Sequence, residues 1–169
     1  IGLDLYRTAT VGDNAHRIAQ AVRDSMARSQ VVITTGGLGP TVDDPTREGI
    51  ALAAGVGTEF RQDLWEQIQQ RFARYGRTPT ENNRRQAHIP VGSLPIENPA
   101  GAAPGFIVDA GGSVILALPG VPSEMAIMLE RSVLPYLRAR FGLHGLIKSR
   151  VLHTAGVGES WLDERIQDL

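Results

Sequence analysis

The chain has 169 residues, 42% of them hydrophobic and 21% charged, which suits one soluble domain with a real core and excludes a disordered segment. Lys plus Arg number 17 against 18 Asp plus Glu, a formal net charge of −1, so nothing global draws the chain to nucleic acid or to an anionic membrane surface. The absence of cysteine rules out disulfides, thiolate metal sites and cysteine nucleophiles, and agrees with a reducing, cytoplasmic compartment. In chain order, residues 3–11 place Leu3, Leu5, Ala9 and Val11 at alternate positions, which predicts a strand. Ala15, Ile18, Ala19, Val22 and Met26 then recur on one helical face. Val31-Val32-Ile33 reads as a buried strand of a parallel sheet, leaving through Thr34-Thr35-Gly36-Gly37.

Asp44 before Pro45 has the form of an N-cap with proline at the first helical position, and Gly55 closes that short helix. Leu64, Trp65, Ile68, Phe72 and Tyr75 form the stripe of another helix that ends near Gly76. From 78 to 105 the periodicity is lost to Pro79, Pro90, Pro95, Pro99 and Pro104, predicting a long functional loop. Residues 106–109 and 114–118 form a predicted hairpin about Ala110-Gly111-Gly112-Ser113. Ser123 is placed to cap a helix bearing Met125, Met128 and Leu129 and interrupted by Pro135. A strand at 147–153 and a helix at 161–169 complete the expectation. Strands alternating with amphipathic helices specify an α/β domain with a mostly parallel sheet covered on both faces, whose ligands bind beyond the carboxyl ends of the strands. No apolar run approaches the ~20 residues of a membrane span. The opening Ile1-Gly2-Leu3-Asp4-Leu5, without an initiator Met or a leader pattern, reads as a piece of a longer protein.

The stretch 35–41, Thr-Gly-Gly-Leu-Gly-Pro-Thr, concentrates glycines where backbone amides can converge on an anion, although a tight strand-to-helix connection is an equal reading of the glycines alone. It has neither the Lys-Ser/Thr ending of a P-loop nor the third glycine of a dinucleotide turn. Asp43, Asp44, Thr46, Arg47 and Glu48 follow within a few residues, the hard oxygen donors and the guanidinium that phosphate chemistry with a divalent cation requires. Asp44 serves as a helix cap on the simplest reading. Asp43 is not needed for it, and two adjacent carboxylates call for a cation or an Arg between them. Residues 119–123, Pro-Gly-Val-Pro-Ser, offer either a second anion wall or a plain strand-to-helix turn. His16, His88, His144 and His153 lack ligand spacing, and Lys148 is the only lysine, so neither a histidine zinc site nor Schiff-base chemistry is indicated.

The run VVITTGGLGPTVDDPTRE at 31–48 closely resembles the N-terminal domain of the competence/damage-inducible protein CinA family. Further matching pieces stand in the family's order: Thr10-Val11-Gly12-Asp13-Asn14 with Arg17-Ile18, the segment from Arg77-Thr78-Pro79 to Gln86, residues 98–105, residues 118–125 and residues 156–160. That domain is similar to the molybdopterin-binding MogA, MoaB and MoeA/gephyrin domains, so the resemblance implies a three-layer α/β/α fold with a pocket for a phosphate-bearing pterin or nucleotide. In the molybdopterin group the loop runs Gly-Gly-Thr-Gly and is followed by Arg-Asp-x-Thr-Pro-Glu. Here Gly36, Gly37, Gly39, Asp44, Thr46 and Glu48 match, whereas Leu38, Asp43 and Arg47 replace the Thr, Arg and Pro. Ala102 stands where the CinA pattern has Thr, and the family's first strand, with its Gly-Thr-Glu-Leu-Leu sequence, is expected before Ile1.

For CinA proteins the resemblance implies a metal-dependent pyrophosphatase acting on ADP-ribose-like nucleotides, joined in many members to a C-terminal nicotinamide-nucleotide amidase domain. On this reading 1–150 is the α/β domain and 151–169 begins a C-terminal subdomain or linking helix. Gly36, Gly37 and Gly39 hold a phosphate within a binding stretch that includes Leu38 and Thr41, and Pro119, Gly120 and Ser123 close the opposite wall. Asn14 and Gln86 contact sugar or base. Asp43 and Asp44 bind Mg²⁺ or Co²⁺, Glu48 is the candidate general base and Arg47 a charge partner. The alternatives are a molybdopterin-binding module without hydrolysis and a regulatory domain with a vestigial pocket. The partner is a small molecule, not nucleic acid or membrane, and the resemblance favours a homo-oligomer.

Overall fold

The computed structural model describes residues 2–143, 151 and 153–166. Helix α1 (Ala15–Met26) begins where Asn14 Oδ1 accepts the amide of Arg17 at 3.0 Å, and buries Ile18, Ala19 and Val22. It leads to β1 (Val31–Thr35), then α2 (Thr46–Ala54), β2 (Thr58–Phe60) and α3 (Gln62–Arg74). A 3-10 helix (Glu81–Ala87), β3 (His88–Pro90) and β4 (Leu94–Ile96) follow. Next come the hairpin β5 (Gly105–Ala110) and β6 (Ser113–Leu118), and then α4 (Pro122–Met128), a π-helical turn (Leu129–Val133), α5 (Leu134–Phe141) and α6 (Glu159–Ile166). The π-turn just before Pro135 is the interruption that proline imposes, because the ring has no amide to donate and clashes one turn back.

The main sheet runs β1-β6-β5-β4, and β2 pairs with β3 in a separate ribbon. β6 is buried along its whole length and divides its side chains between two cores. Ile115 and Ala117 join Phe106, Leu38, Ile18, Ile50 and Ile68 on the face covered by α1, α2 and α3. Val114, Leu116 and Leu118 join Ile107, Met128, Val133 and Leu137 beneath α4 and α5. Period-two alternation in a strand buried on both sides thus produces the three-layer α/β/α arrangement expected.

Four expectations are corrected. The sheet is mixed: β1 and β6 are parallel, whereas β5 is antiparallel to both β6 and β4, because the two-residue hairpin turn forces reversal. Among the described residues β1 has a neighbouring strand on one side only, and Ile33 is 45% exposed, so its apolar run is half covered. Residues 3–11 form no strand; Leu5 and Tyr6 are 81% and 82% exposed and the segment pairs with nothing among the described residues, so alternation without a partner strand leaves no ladder. The long loop expected at 78–105 is subdivided by the 3-10 helix, β3 and β4, which its prolines tolerate because those strands are short. The strand expected at 147–153 falls outside the described residues, apart from 151 and 153, which are in no strand. The final helix is present as α6 up to Ile166, with no buried side chain.

Candidate functional site

Parallel pairing of β1 and β6 brings both glycine-containing exits to one end of the sheet. The Gly36 amide donates to Leu118 O at 3.0 Å, and a Cβ on Gly120 would stand 3.2 Å from Gly36 Cα. The two walls expected from sequence are therefore in contact. Gly36 and Gly37 take φ of +90° and +65°, a region that side chains avoid, and a Cβ on Gly37 would strike Thr46 Oγ1. Thr46, buried at the start of α2, also donates its amide to Gly37 O at 3.2 Å, tying the loop to the helix.

Two side chains shape the loop from opposite sides. Arg47 is 2% exposed and donates Nη1 to Gly39 O at 3.1 Å and Nη2 to Leu38 O, leaving Nε with no partner. Burial lowers its pKa to about 10, against the raising influence of Glu48 and Asp44. Asp44 accepts the Thr41 amide at 2.9 Å and the Thr41 hydroxyl at 2.6 Å through Oδ2, and fills the space a Cβ on Gly39 would need. Burial pushes the Asp44 carboxyl up, but the bonds from Thr41 and Gly39 and the charge of Arg47 outweigh it and hold the pKa below the usual value. The anion gripped by the Gly39–Thr41 part of the loop is thus the protein's own Asp44.

What is left for a ligand is narrower than the sequence implied. Gly36 spends its amide on the sheet, while the amides of Gly37 and Leu38 have no acceptor among the described residues. Leu38 is 1% exposed, backbone included, and belongs to the core, so neither its side chain nor its amide is open to a ligand. Arg47 lies behind the loop and cannot reach solvent, because a guanidinium with two carbonyls to hold is anchored inward. Gln86 is 4% exposed, and its Oε1 accepts Asn83 Nδ2 at 3.1 Å within the 3-10 helix. Asn14 is exposed but employed as the α1 cap. Asp44 does not cap α2, whose N-cap is Pro45, and Ser123 lies inside α4, one residue after Pro122.

Asp43 and Thr41 are exposed at the lip of the loop, and Asp43 has no hydrogen-bond or ion-pair partner among the described residues. Glu48 makes an ion pair across the fold: Oε1 faces Arg85 Nη2 at 3.4 Å, and Oε2 is buried without a partner. Among the described residues no three His, Asp or Glu side chains gather as a metal cage. Mg²⁺ commonly takes one or two carboxylates and completes its shell with substrate phosphate and water, and the unpaired Asp43 beside Asp44 suits that mode and no self-contained one. The sequence reading named Thr46 without its tie to Gly37 and missed Arg85, since neither a loop-to-helix tie nor an ion pair 37 residues apart has a local signature. Among the described residues no helix is long and apolar enough to cross a membrane.

Residues 1–139 match the family model described as "Probable molybdopterin binding domain". The chain belongs to that family and resembles its CinA members throughout. It is 46% identical over 100% of its length to a CinA-like protein of Parasynechococcus marenigrum and 45% identical over 100% to one of Synechococcus sp. (strain CC9311). It spans about 40% of the length of these curated relatives, 41% and 40% respectively. The crystal structure of CinA from Thermoplasma acidophilum, described as a protein of unknown function, is 36% identical with a TM-score of 0.66, covering 73% of this chain and 72% of that one. The α/β fold and the CinA resemblance read from residues 31–48 are thereby shown.

Proposed function

We propose that the chain binds a phosphate-bearing small molecule at the mouth of the glycine loop and, with a divalent cation, hydrolyses the pyrophosphate of an ADP-ribose-like nucleotide. The observation that carries this reading is the Gly37 amide, without an acceptor among the described residues, in the same loop as the exposed and unpartnered carboxylate of Asp43. The Gly37 amide, fixed in the loop by its φ of +65°, would donate to a phosphoryl oxygen without reorganisation, the preorganised form of anion stabilisation. Arg47 works from behind by occupying the carbonyls of Leu38 and Gly39, which keeps the loop's acceptor atoms away from the ligand. Thr41 and Asp44 close the loop on itself. A divalent cation, held by Asp43 with Asp44, would neutralise charge on the pyrophosphate and lower the pKa of a bound water. Glu48, steered by Arg85 and with one oxygen unpartnered, is the carboxylate assigned to take the water's proton.

Incubation with ADP-ribose and Mg²⁺ or Co²⁺ is expected to yield AMP and ribose 5-phosphate, and EDTA to stop it. Asp43→Ala is expected to abolish turnover while leaving the thermal melt unchanged; full activity in that variant rules out the assignment. The family description favours a second reading, retention of molybdopterin without hydrolysis. Co-purifying pterin fluorescence together with no release of AMP selects it.

A further inference from the structure

Away from the glycine loop, two cavities of about 70 and about 160 Å³ open between α3 and the 98–104 loop and share Arg71, Gly101 and Ala102 as walls. Neither is lined by residues of the glycine loop or by Asp43. Arg71 and Arg74 line the smaller cavity, Arg71 and Arg77 the larger; the carboxylates nearby are Glu97, on the smaller cavity, and Glu124, bonded to Asn98 and packed on Gly101. On a chain with a net charge of −1 that is a local excess of positive charge at a concavity.

Arg71 is half-buried and fixed by donating Nη2 to Asn98 O at 2.7 Å. Arg74 and Arg77 are exposed, with no hydrogen bond or ion pair among the described residues, whereas Arg61, Arg84, Arg85 and Arg140 each face a carboxylate. The last turn of a helix is a favourable place for Arg71 and Arg74, but that accounts for neither Arg77 nor the cavity. The amides of Ala100 and Gly101 are already donated to Asn98 Oδ1 at 3.1 and 2.8 Å, so an anion here must be held by side chains. Tyr75, 68% exposed, lines the larger cavity beside Arg77 and presents an aromatic face. Guanidinium forks match phosphate oxygens, and an exposed tyrosine ring stacks on a planar heterocycle.

We infer that this groove is a second ligand site, distinct from the glycine loop, which takes a mononucleotide: phosphate on Arg71, Arg74 and Arg77, base against Tyr75. It needs no metal, because its three cations supply the countercharge.

The test is calorimetric titration of the intact protein with AMP in EDTA at low salt, with inorganic phosphate and adenosine as parallel probes. AMP is expected to bind more tightly than inorganic phosphate, and adenosine not to saturate. The double variant Arg74→Gln/Arg77→Gln is expected to weaken AMP binding by about tenfold or more, with an unchanged melting temperature because neither side chain is buried or bonded. Should the double variant be unstable, Arg77→Gln alone is expected to weaken binding severalfold. The arginine variants are expected to leave metal-dependent release of AMP from ADP-ribose unchanged, which separates the groove from the glycine loop. Absence of AMP binding, equal binding of AMP and inorganic phosphate, saturation by adenosine, or undiminished affinity in the arginine variants would overturn the assignment.

Discussion

The loop that follows β1 and the loop between β4 and β5 are built with the same device and left in different states. In each, a carboxylate stands where a glycine Cβ would be, Asp44 against Gly39 and Glu124 against Gly101. In each, one side chain gathers the backbone around it. Asn98 does so in the second loop with an uncharged amide: Oδ1 accepts the amides of Ala100 and Gly101, and Nδ2 donates to Ala103 O at 2.9 Å and to Glu124 Oε2 at 2.7 Å. Donors and acceptors are balanced, and little of that backbone remains for a ligand. Arg47 can only donate, so it collects carbonyls and leaves amides unspent at Gly37 and Leu38. A donor-only side chain behind a loop takes up its carbonyls and leaves amides unpaired. An amide that both donates and accepts makes a closed structural corner.

The largest effect that tests this contrast is expected from Arg47→Met, which strands two carbonyls and should cost about 3 kcal/mol in chemical denaturation. Arg47→Lys is expected to recover little of it, because a single ammonium cannot fork to two carbonyls. A loss near zero in both would mean that the guanidinium does not organise the loop. Next is Gly101→Ala, expected to destabilise by about 1.5 kcal/mol because the added methyl meets a carboxylate pinned by Asn98. In a Glu124→Ala background the same change should be nearly neutral, and a double-mutant cycle with no coupling would separate the two residues.

A smaller effect, about 1 kcal/mol near neutral pH, is expected for Asp44→Asn, whose amide still reaches Thr41 but lacks the charge. Its pH signature is more specific. The folded Asp44 carboxyl has a lowered pKa, so in the acid range the unfolded chain binds the extra proton first. The stabilisation is therefore present above the ordinary aspartate value of about 4 and is lost as pH falls through the folded pKa. Stability measured from pH 6 downward should decline less steeply in the variant, and parallel curves would show that Asp44 titrates as an ordinary surface acid. Smallest of all is Asp43→Ala, for which no shift in melting temperature is expected despite the loss of turnover proposed above.

Much of the architecture was legible along the chain. The helical stripes at 15–26 and 62–74, the β5–β6 hairpin, the glycine after α2 and the proline interruption before α5 are all local periodicities or backbone preferences. The joining of the two glycine exits also followed from local reading, because parallel neighbouring strands present their carboxyl ends together. Pairing was not legible: residues 3–11 alternate as well as any strand in the molecule and form none, since alternation states which face would be apolar and says nothing about who supplies the neighbouring backbone.

The site divides in the same way. The chain order by itself determined that glycines, hydroxyls and acids lie together at 36–48, and that this segment resembles the CinA family. Only the folded chain decided which way each of them points. Asp43 turns out, Asp44 turns into the loop, Arg47 and Gln86 turn into the interior, and Glu48 turns to an arginine 37 residues away. Orientation is set by the packing of α2 and the 3-10 helix onto the sheet, a balance of burial and hydrogen-bond satisfaction among residues distant in sequence, which no local pattern encodes.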